Sequence, residues 1–360
     1  MKRTASTAPR TIAALAAAAL GLALVFATAA HGACTYQVVG NDFVLTGCNL
    51  VIKNGAGSTA TANGLGNIIV GYNETRGGGA DARTGSHNIV VGAKNNYTRF
   101  GGIVAGYQNA IQGDYACVNG GSENIAAGSY AAIAGGRVNA AVGAYSSITG
   151  GQYAGAIGGS SMVVGGWANS ARANFATVVG GRDNNATSAT PADPYTVSYS
   201  TVIGGQDNES SGLYSCTVGG AHNFATADNA LAAGGEDNTA GGTSTTVAGG
   251  ELNIASTQCA VIAGGYQNTA TGQWSSVSGG YQNQATMSYA HVGGGENNVA
   301  SGQSAAVCGG GDNSATYYRS TVSGGYDNTA SGPSATVSGG HLRSAAGEYD
   351  WVAGANWQDN

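Results

Sequence analysis

Five aspartates, Asp183, Asp207, Asp237, Asp312 and Asp327, each stand in the same context, Gly-Gly-x-Asp-Asn. Glycine and aspartate at short fixed spacing is a calcium chemistry. The calcium-binding form repeats every nine residues or so, and a calcium ion takes about six to eight oxygens. Here one carboxylate comes from each repeat, so the set reads as solvated turn residues. His87, His222, His291 and His341 share no position in the repeat, and no metal or cofactor site follows from them. Many serines are present, none beside a histidine and carboxylate pair that would activate it. Cleavage of a polysaccharide by a β-helix needs clustered carboxylates or basic residues on one face. Only the loop at residues 187–198 departs from the repetition, so a carbohydrate-active enzyme stands as an alternative and the principal expectation is no enzyme and no cofactor.

The element that positions all these residues is a fifteen-residue unit. Val277-Ser278-Gly279-Gly280-Tyr281-Gln282-Asn283-Gln284-Ala285 repeats Ile262-Ala263-Gly264-Gly265-Tyr266-Gln267-Asn268-Thr269-Ala270. Numbering the first residue of the glycine pair as position 1, sixteen coils start at residues 105, 120, 135, 150, 165, 180, 204, 219, 234, 249, 264, 279, 294, 309, 324 and 339. A fixed period of this kind predicts a solenoid, here an all-β parallel β-solenoid, a β-roll. The step from Gly180 to Gly204 is longer, and its extra residues lie around Pro191 and Pro194. Position 14 is Val or Ile in 14 of 16 coils and position 7 is Ala in 14 of 16. Seven residues apart, these rows are expected on opposite walls of a thin core. Position 5 is Asn except at Ala154 and Arg343, and a stacked Asn row can bond the backbone of the next coil. The glycine pair and position 9 are read as turns that need a left-handed φ or have no room for a Cβ. From Gly212 onward position 9 alternates with Ala227, Thr257, Met287 and Tyr317, a super-repeat read as a trace of duplication. At the strand spacing of about 4.8 Å, sixteen coils would make a rod of roughly 75 Å.

Composition fits an extended repeat. There are 63 Gly, 4 Pro and 9% charged residues in 360. Lys2, Arg3 and Arg10 precede an apolar Ile12–Ala30 stretch and small residues at Ala29, Ala30, Gly32 and Ala33, the pattern of a cleaved secretion signal over residues 1–33. Without those three cations the chain is net −9 and has no basic cluster, which argues against nucleic acid. No other segment reads as a membrane-spanning helix. Residues 34–104 are expected to hold a cap, closed by a Cys34–Cys48 disulfide in an oxidising compartment, and irregular coils at Asn67–Asn73, Asn88–Gly92 and Gly102–Asn109. Residues 105–360 form the regular solenoid. Cys216 and Cys259, three coils apart, are beyond disulfide reach, and with Cys117 and Cys308 they read as unpaired packing residues.

Three outward rows are candidates for function. Position 15 reads Val164, Val179, Ile203, Val218, Ala233, Ala248, Ala263. If position 14 points in, this stripe points out and suggests an oligomer interface; the alternative is a bulge at the glycine pair that turns it inward. Position 11 carries Tyr115, Tyr130, Tyr145, Phe175, Tyr199 and Tyr214, then Trp274, Tyr289 and Tyr349. It reads either as a ladder of stacked rings or as a platform for sugars or a partner. Positions 13 and 15 carry hydroxyls, as in Thr321-Val322-Ser323 and Thr336-Val337-Ser338, which suggests ice binding. The row is interrupted at Cys216, Leu231, Val261, His291 and Trp351.

The unit Gly-Gly-x-x-Asn-x-Ala-x-Gly-x-x-Ser-x-Val-x, best seen in Gly264–Ser278 and Gly324–Ser338, resembles the head repeats of trimeric autotransporter (YadA-like) adhesins over about residues 60–355. The resemblance implies a left-handed β-roll, a homotrimer, display at the surface of a Gram-negative-like bacterium, and a host, matrix or glycan ligand. The repeat here is one residue longer than is usual there. No heptad stalk or C-terminal anchor precedes Asn360. The expectation is therefore an exported, cell-surface or extracellular rod with a structural or adhesive role.

Overall fold

The computed structural model describes residues 34–188 and 198–354. The secretion-signal stretch, most of the 187–198 loop and residues 355–360 lie outside them. The chain divides into two compact units, Met1–Val51 and Ile52–Asn360. In the first, Thr35–Val39 and Asp42–Thr46 pair antiparallel about a turn with Gly40 at φ 62°. Cys34 and Cys48 are disulfide-bonded, as expected. The rings of Tyr36 and Phe43 lie 6.0 Å apart on this hairpin.

The second unit is a parallel β-solenoid, and the described residues include no helix. Each strand pairs only with the same position in the coils before and after it. One ladder runs through nineteen rungs at positions 13 and 14, from Ile68–Val70 to Trp351–Val352. A second runs through seventeen rungs at positions 6 and 7, from Asn96–Tyr97 to Ser344–Ala345. A third joins single residues at position 3, from Tyr107 to His341.

The expected core rows face each other. Val277 and Ala285 are 1% and 0% exposed, and their rows are buried along the solenoid. A third inward row was not anticipated. Position 12 is buried as Ala116, Ala131, Ser146, Ala176, Ser215, Thr245, Ala260 and their counterparts. Positions 5 and 12 lie seven apart, as do positions 7 and 14. The coil is therefore two half-turns of one pattern, inward-outward-inward, each opened by a left-handed residue. Those residues are positions 4 and 11, for example Gln267 at φ 54° and Trp274 at φ 61°. The flip has a visible cause. Most strand N–H groups donate to the following coil, as Thr269 does to Asn283 O at 2.8 Å. Gln267 and Trp274 instead donate backward, to Glu251 O at 2.9 Å and Gln258 O at 3.0 Å. A left-handed non-glycine residue costs roughly 1 kcal/mol or more, and the backward bond to the previous coil offsets it.

Position 9 works differently from the turns. None of Gly212, Gly242, Gly272, Gly302 and Gly332 has positive φ. A Cβ on Gly272 would instead lie 1.9 Å from Met287 O, and one on Gly302 1.9 Å from Tyr317 O. The glycines are buried under the next coil, whereas Met287 and Tyr317 are exposed. The glycine is a steric requirement: the backbone of the next coil comes this close whether that coil carries a side chain, as at Met287, or a glycine, as at Gly347, whose O would lie 2.0 Å from a Cβ on Gly332.

The apolar core is in two parts, one ending at Val202 and the other beginning at Ala225. Between them Ser210, Ser215 and Thr217 fill the inward positions. Their hydroxyls are satisfied, with Ser210 and Ser215 Oγ atoms 2.6 Å apart and Thr217 donating to Glu209 O at 2.9 Å.

Candidate functional site

The asparagine row comes first, because it holds the corner that presents positions 1–4. Asn268 is fully buried. Its Oδ1 accepts from the Asn283 N–H at 2.9 Å, and its Nδ2 donates to Gly264 O at 2.9 Å and Gly280 O at 3.0 Å. Each amide thus bonds its own coil and the next, as the sequence predicts. At Ala154 the bond from the previous coil survives, Ala154 N to Asn139 Oδ1 at 2.8 Å, but Ala154 has no amide to pass on. This corner carries the five aspartates at left-handed φ of 52–55°. Asp and Asn tolerate that conformation better than most residues, which accounts for their presence without a metal. Among the described residues no three His, Cys, Asp or Glu side chains are grouped to hold an ion. Asp312 hydrogen-bonds the exposed Tyr326 hydroxyl, and that bond raises the phenol's pKa above its ordinary value.

The position 11 rings are brought together. Tyr115 and Tyr130 stack at 5.2 Å and 15°, Tyr130 and Tyr145 at 5.0 Å and 2°. Beyond the gap at Ser160, Phe175 stacks on Tyr199 at 5.0 Å, and Tyr199 on Tyr214 at 5.1 Å. Neighbouring rings cover each other's faces, leaving edges and hydroxyls for a partner. Tyr266 and Tyr281 form a similar stack at position 3, at 5.4 Å and 7°. Tyr266 borders a groove of about 600 Å³ lined also by Gly235, Glu236, Gly250 and Glu251.

The position 15 row faces outward, so the bulge alternative does not hold. Val164 is half-buried, while Val179, Ile203 and Val218 are 37%, 43% and 37% exposed. They stand in register, Val164 beside Val179, Val179 beside Ile203 and Ile203 beside Val218. Strands are three residues long only here and at the first rung within the position 13–14 ladder outside the five-residue early strands. Cys117, Cys216, Cys259 and Cys308 are free, as expected. Burial pushes the Cys117 and Cys216 thiols up from their ordinary pKa.

A hydroxyl column missed in the sequence lies on the other sheet. Position 8 reads Ser256, Thr271, Thr286, Ser301, Thr316 and Ser331, an unbroken run over six coils. None of these side chains hydrogen-bonds within the described residues. The signal that would have found it is the same fifteen-residue register, read one position past the core Ala.

The fold and these columns define the class: a parallel β-solenoid whose surface is a set of straight, in-register rows. No protein-family model matches the chain, and no curated protein matches it. Among the described residues no helix is long and apolar enough to cross a membrane.

Proposed function

We propose that the chain is an exported repeat protein acting at the cell surface or outside the cell as a structural, adhesive rod. One observation carries this reading: the stacking turns each outward position into a continuous column, so that a weak contact made once is offered again at every coil. Linked weak contacts gain avidity without any single strong site. The Cys34–Cys48 disulfide fits an oxidising compartment, and the Ile12–Ala30 stretch fits a secretion signal. The partners that suit such a surface are host or matrix proteins or glycans, and further copies of the chain, as in the homotrimeric heads the repeat resembles. Two measurements test it. Intact mass of the protein recovered outside the cell is expected to show loss of about residues 1–33. Matrix-protein and glycan arrays are expected to show binding that weakens as coils are removed. Retention of the full chain inside the cell, or no array signal at any length, would overturn the reading.

The position 8 column favours a second reading, ice binding, because its hydroxyls are regularly spaced and unspent within the protein. Thermal hysteresis that falls in Thr271→Lys and Thr286→Lys would support it, and none in the parent protein would dismiss it.

A further inference from the structure

Two features of the solenoid change at the same place. The first is charge. Residues 52–188 carry eight Lys or Arg and five Asp or Glu, net +3, whereas residues 198–354 carry two and eleven, net −9. On the corner at positions 3 and 4, the second half has seven carboxylates, among them Glu236, Glu251 and Asp312, and no Lys or Arg. The first half sets Arg137 and Arg182 there against Glu123 and Asp183. The second feature is the apolar stripe Val164, Val179, Ile203 and Val218, which straddles this junction. Its last residue, Val218, is the outward neighbour of Thr217 in the stretch where the core turns polar.

The face that holds the stripe is uncharged along its whole length. The residues flanking the central position on all nineteen rungs, from Ile68 and Val70 to Trp351 and Ala353, include no Asp, Glu, Lys or Arg. Depletion of charge is what marks the centre of a protein interface. An axis between the Val179 and Ile203 rungs pairs sixteen of the nineteen rungs, eight on each side; at about 4.8 Å each and a face roughly 10 Å wide these offer on the order of 770 Å² per copy, the size of a standard interface.

A second copy of this chain is the occupant that the charge pattern fits, and the pattern also selects its direction. Half the ladder is about 45 Å long, several times the Debye length of roughly 8 Å in physiological salt. The face itself is uncharged, so the charges that act are those beside it, and each is felt only by the part of the second copy at the same height. A parallel pair sets the −9 half against the −9 half. An antiparallel pair sets each −9 half against a +3 half. We propose that two copies pack face to face and antiparallel, about a two-fold axis lying between the Val179 and Ile203 rungs. Such an axis along the strand direction maps position 15 onto position 15. Val179 then meets the second copy's Ile203, and Val164 its Val218, so the four-residue stripe is complementary to itself, as a two-fold contact requires. The proposal puts a dimer in place of the homotrimer of the heads the repeat resembles; it is otherwise separate from the adhesive reading, because it needs no ligand.

The same axis places Met162 opposite Cys216 of the second copy, both at position 13 and facing outward. The experiment uses the mature chain carrying Met162→Cys with Cys117, Cys259 and Cys308 changed to Ser, treated with a short bis-maleimide and digested. The expected product is a dimer joined between positions 162 and 216. Mass in solution is expected to be that of a dimer, and Val179→Asp with Ile203→Asp is expected to weaken it at least 100-fold with an unchanged circular dichroism spectrum. A link from 162 to 162, a monomer or trimer mass in the parent protein, or a dimer indifferent to the two aspartates would each overturn the proposal. None of these outcomes bears on the array measurements above.

Discussion

Replacing Asn268 by Ala tests the corner ladder most directly. The change removes one acceptor and two donated bonds at a fully buried site. The three backbone groups left behind are not equally exposed to the loss. Gly280 O keeps the Tyr266 N–H at 2.9 Å. The Asn283 N–H keeps nothing, and Gly264 O loses its amide. An unsatisfied buried group costs about 1–3 kcal/mol, so one orphaned N–H and one weakened carbonyl come to about 3 kcal/mol. Spread over a solenoid of about 300 residues unfolding together, that lowers Tm by about 5 °C. Hydrogen exchange is expected to show the cause locally, with the Asn283 amide losing protection before amides several coils away. Asn268→Asp refines the test. It keeps the acceptor for Asn283 but turns carboxylate oxygens toward two carbonyls. Burial and those carbonyls raise the carboxyl pKa above its unfolded value. Its relative stability is therefore greatest below the unfolded pKa and is lost as pH rises through the folded one. The converse change, Ala154→Asn, is expected to stabilise by about 1 kcal/mol. A Tm for Asn268→Ala within about 1 °C of the parent, with an unchanged Asn283 exchange rate, would refute the reasoning.

Gly272→Ala is expected to destabilise by about 1–3 kcal/mol, since its Cβ meets Met287 O at 1.9 Å; Met287→Ala, on an exposed side chain, is expected to change Tm little. Reducing Cys34–Cys48 is expected to abolish amide protection across residues 35–46 while the solenoid keeps its own, because a lone two-stranded hairpin is marginal in water. Tyr130→Ala removes two stacking partners and is expected to cost about 1–3 kcal/mol, while Tyr130→Gly is expected to cost less because it relieves the left-handed φ of 60°. The Tyr326 phenol ionises above its usual range because Asp312 accepts its hydrogen bond; in Asp312→Asn a spectrophotometric titration is expected to place it lower.

How much of this was legible in the sequence depends on what each position does. Rows that must be one residue type could be read directly. Val at position 14, Ala at position 7 and Asn at position 5 declare their burial because little else fits there. The position 12 row was hidden because Ala, Ser and Thr all fit a shallow inward site, and their mixture looks like a surface. The left-handed residues were hidden for another reason. Such backbone is normally announced by Gly or Asn, but here Val138, Tyr153, Leu252 and the position 11 aromatics adopt it. The backward hydrogen bond to the previous coil forces the conformation, so residues other than Gly, Asn and Asp can hold it, and the aspartates at position 4 mark the row only in part. The aromatic row could be seen, but that its ring faces cover one another depends on rotamers that spacing does not specify.

The alternation at position 9 also governs how this chain can change in length. From Gly212 to Gly332 glycine alternates with a residue that has a side chain. Deleting residues 264–278, one coil, would set Thr257 directly beneath Met287, with no glycine between them. Deleting residues 264–293, two coils, would set Thr257 beneath Gly302 and restore the order. In this part of the molecule the unit that duplication can copy or lose without penalty is the pair of coils, thirty residues long. A population of related chains is expected to differ by even numbers of turns there, while the all-glycine stretch from Gly113 to Gly158 is free to vary by one.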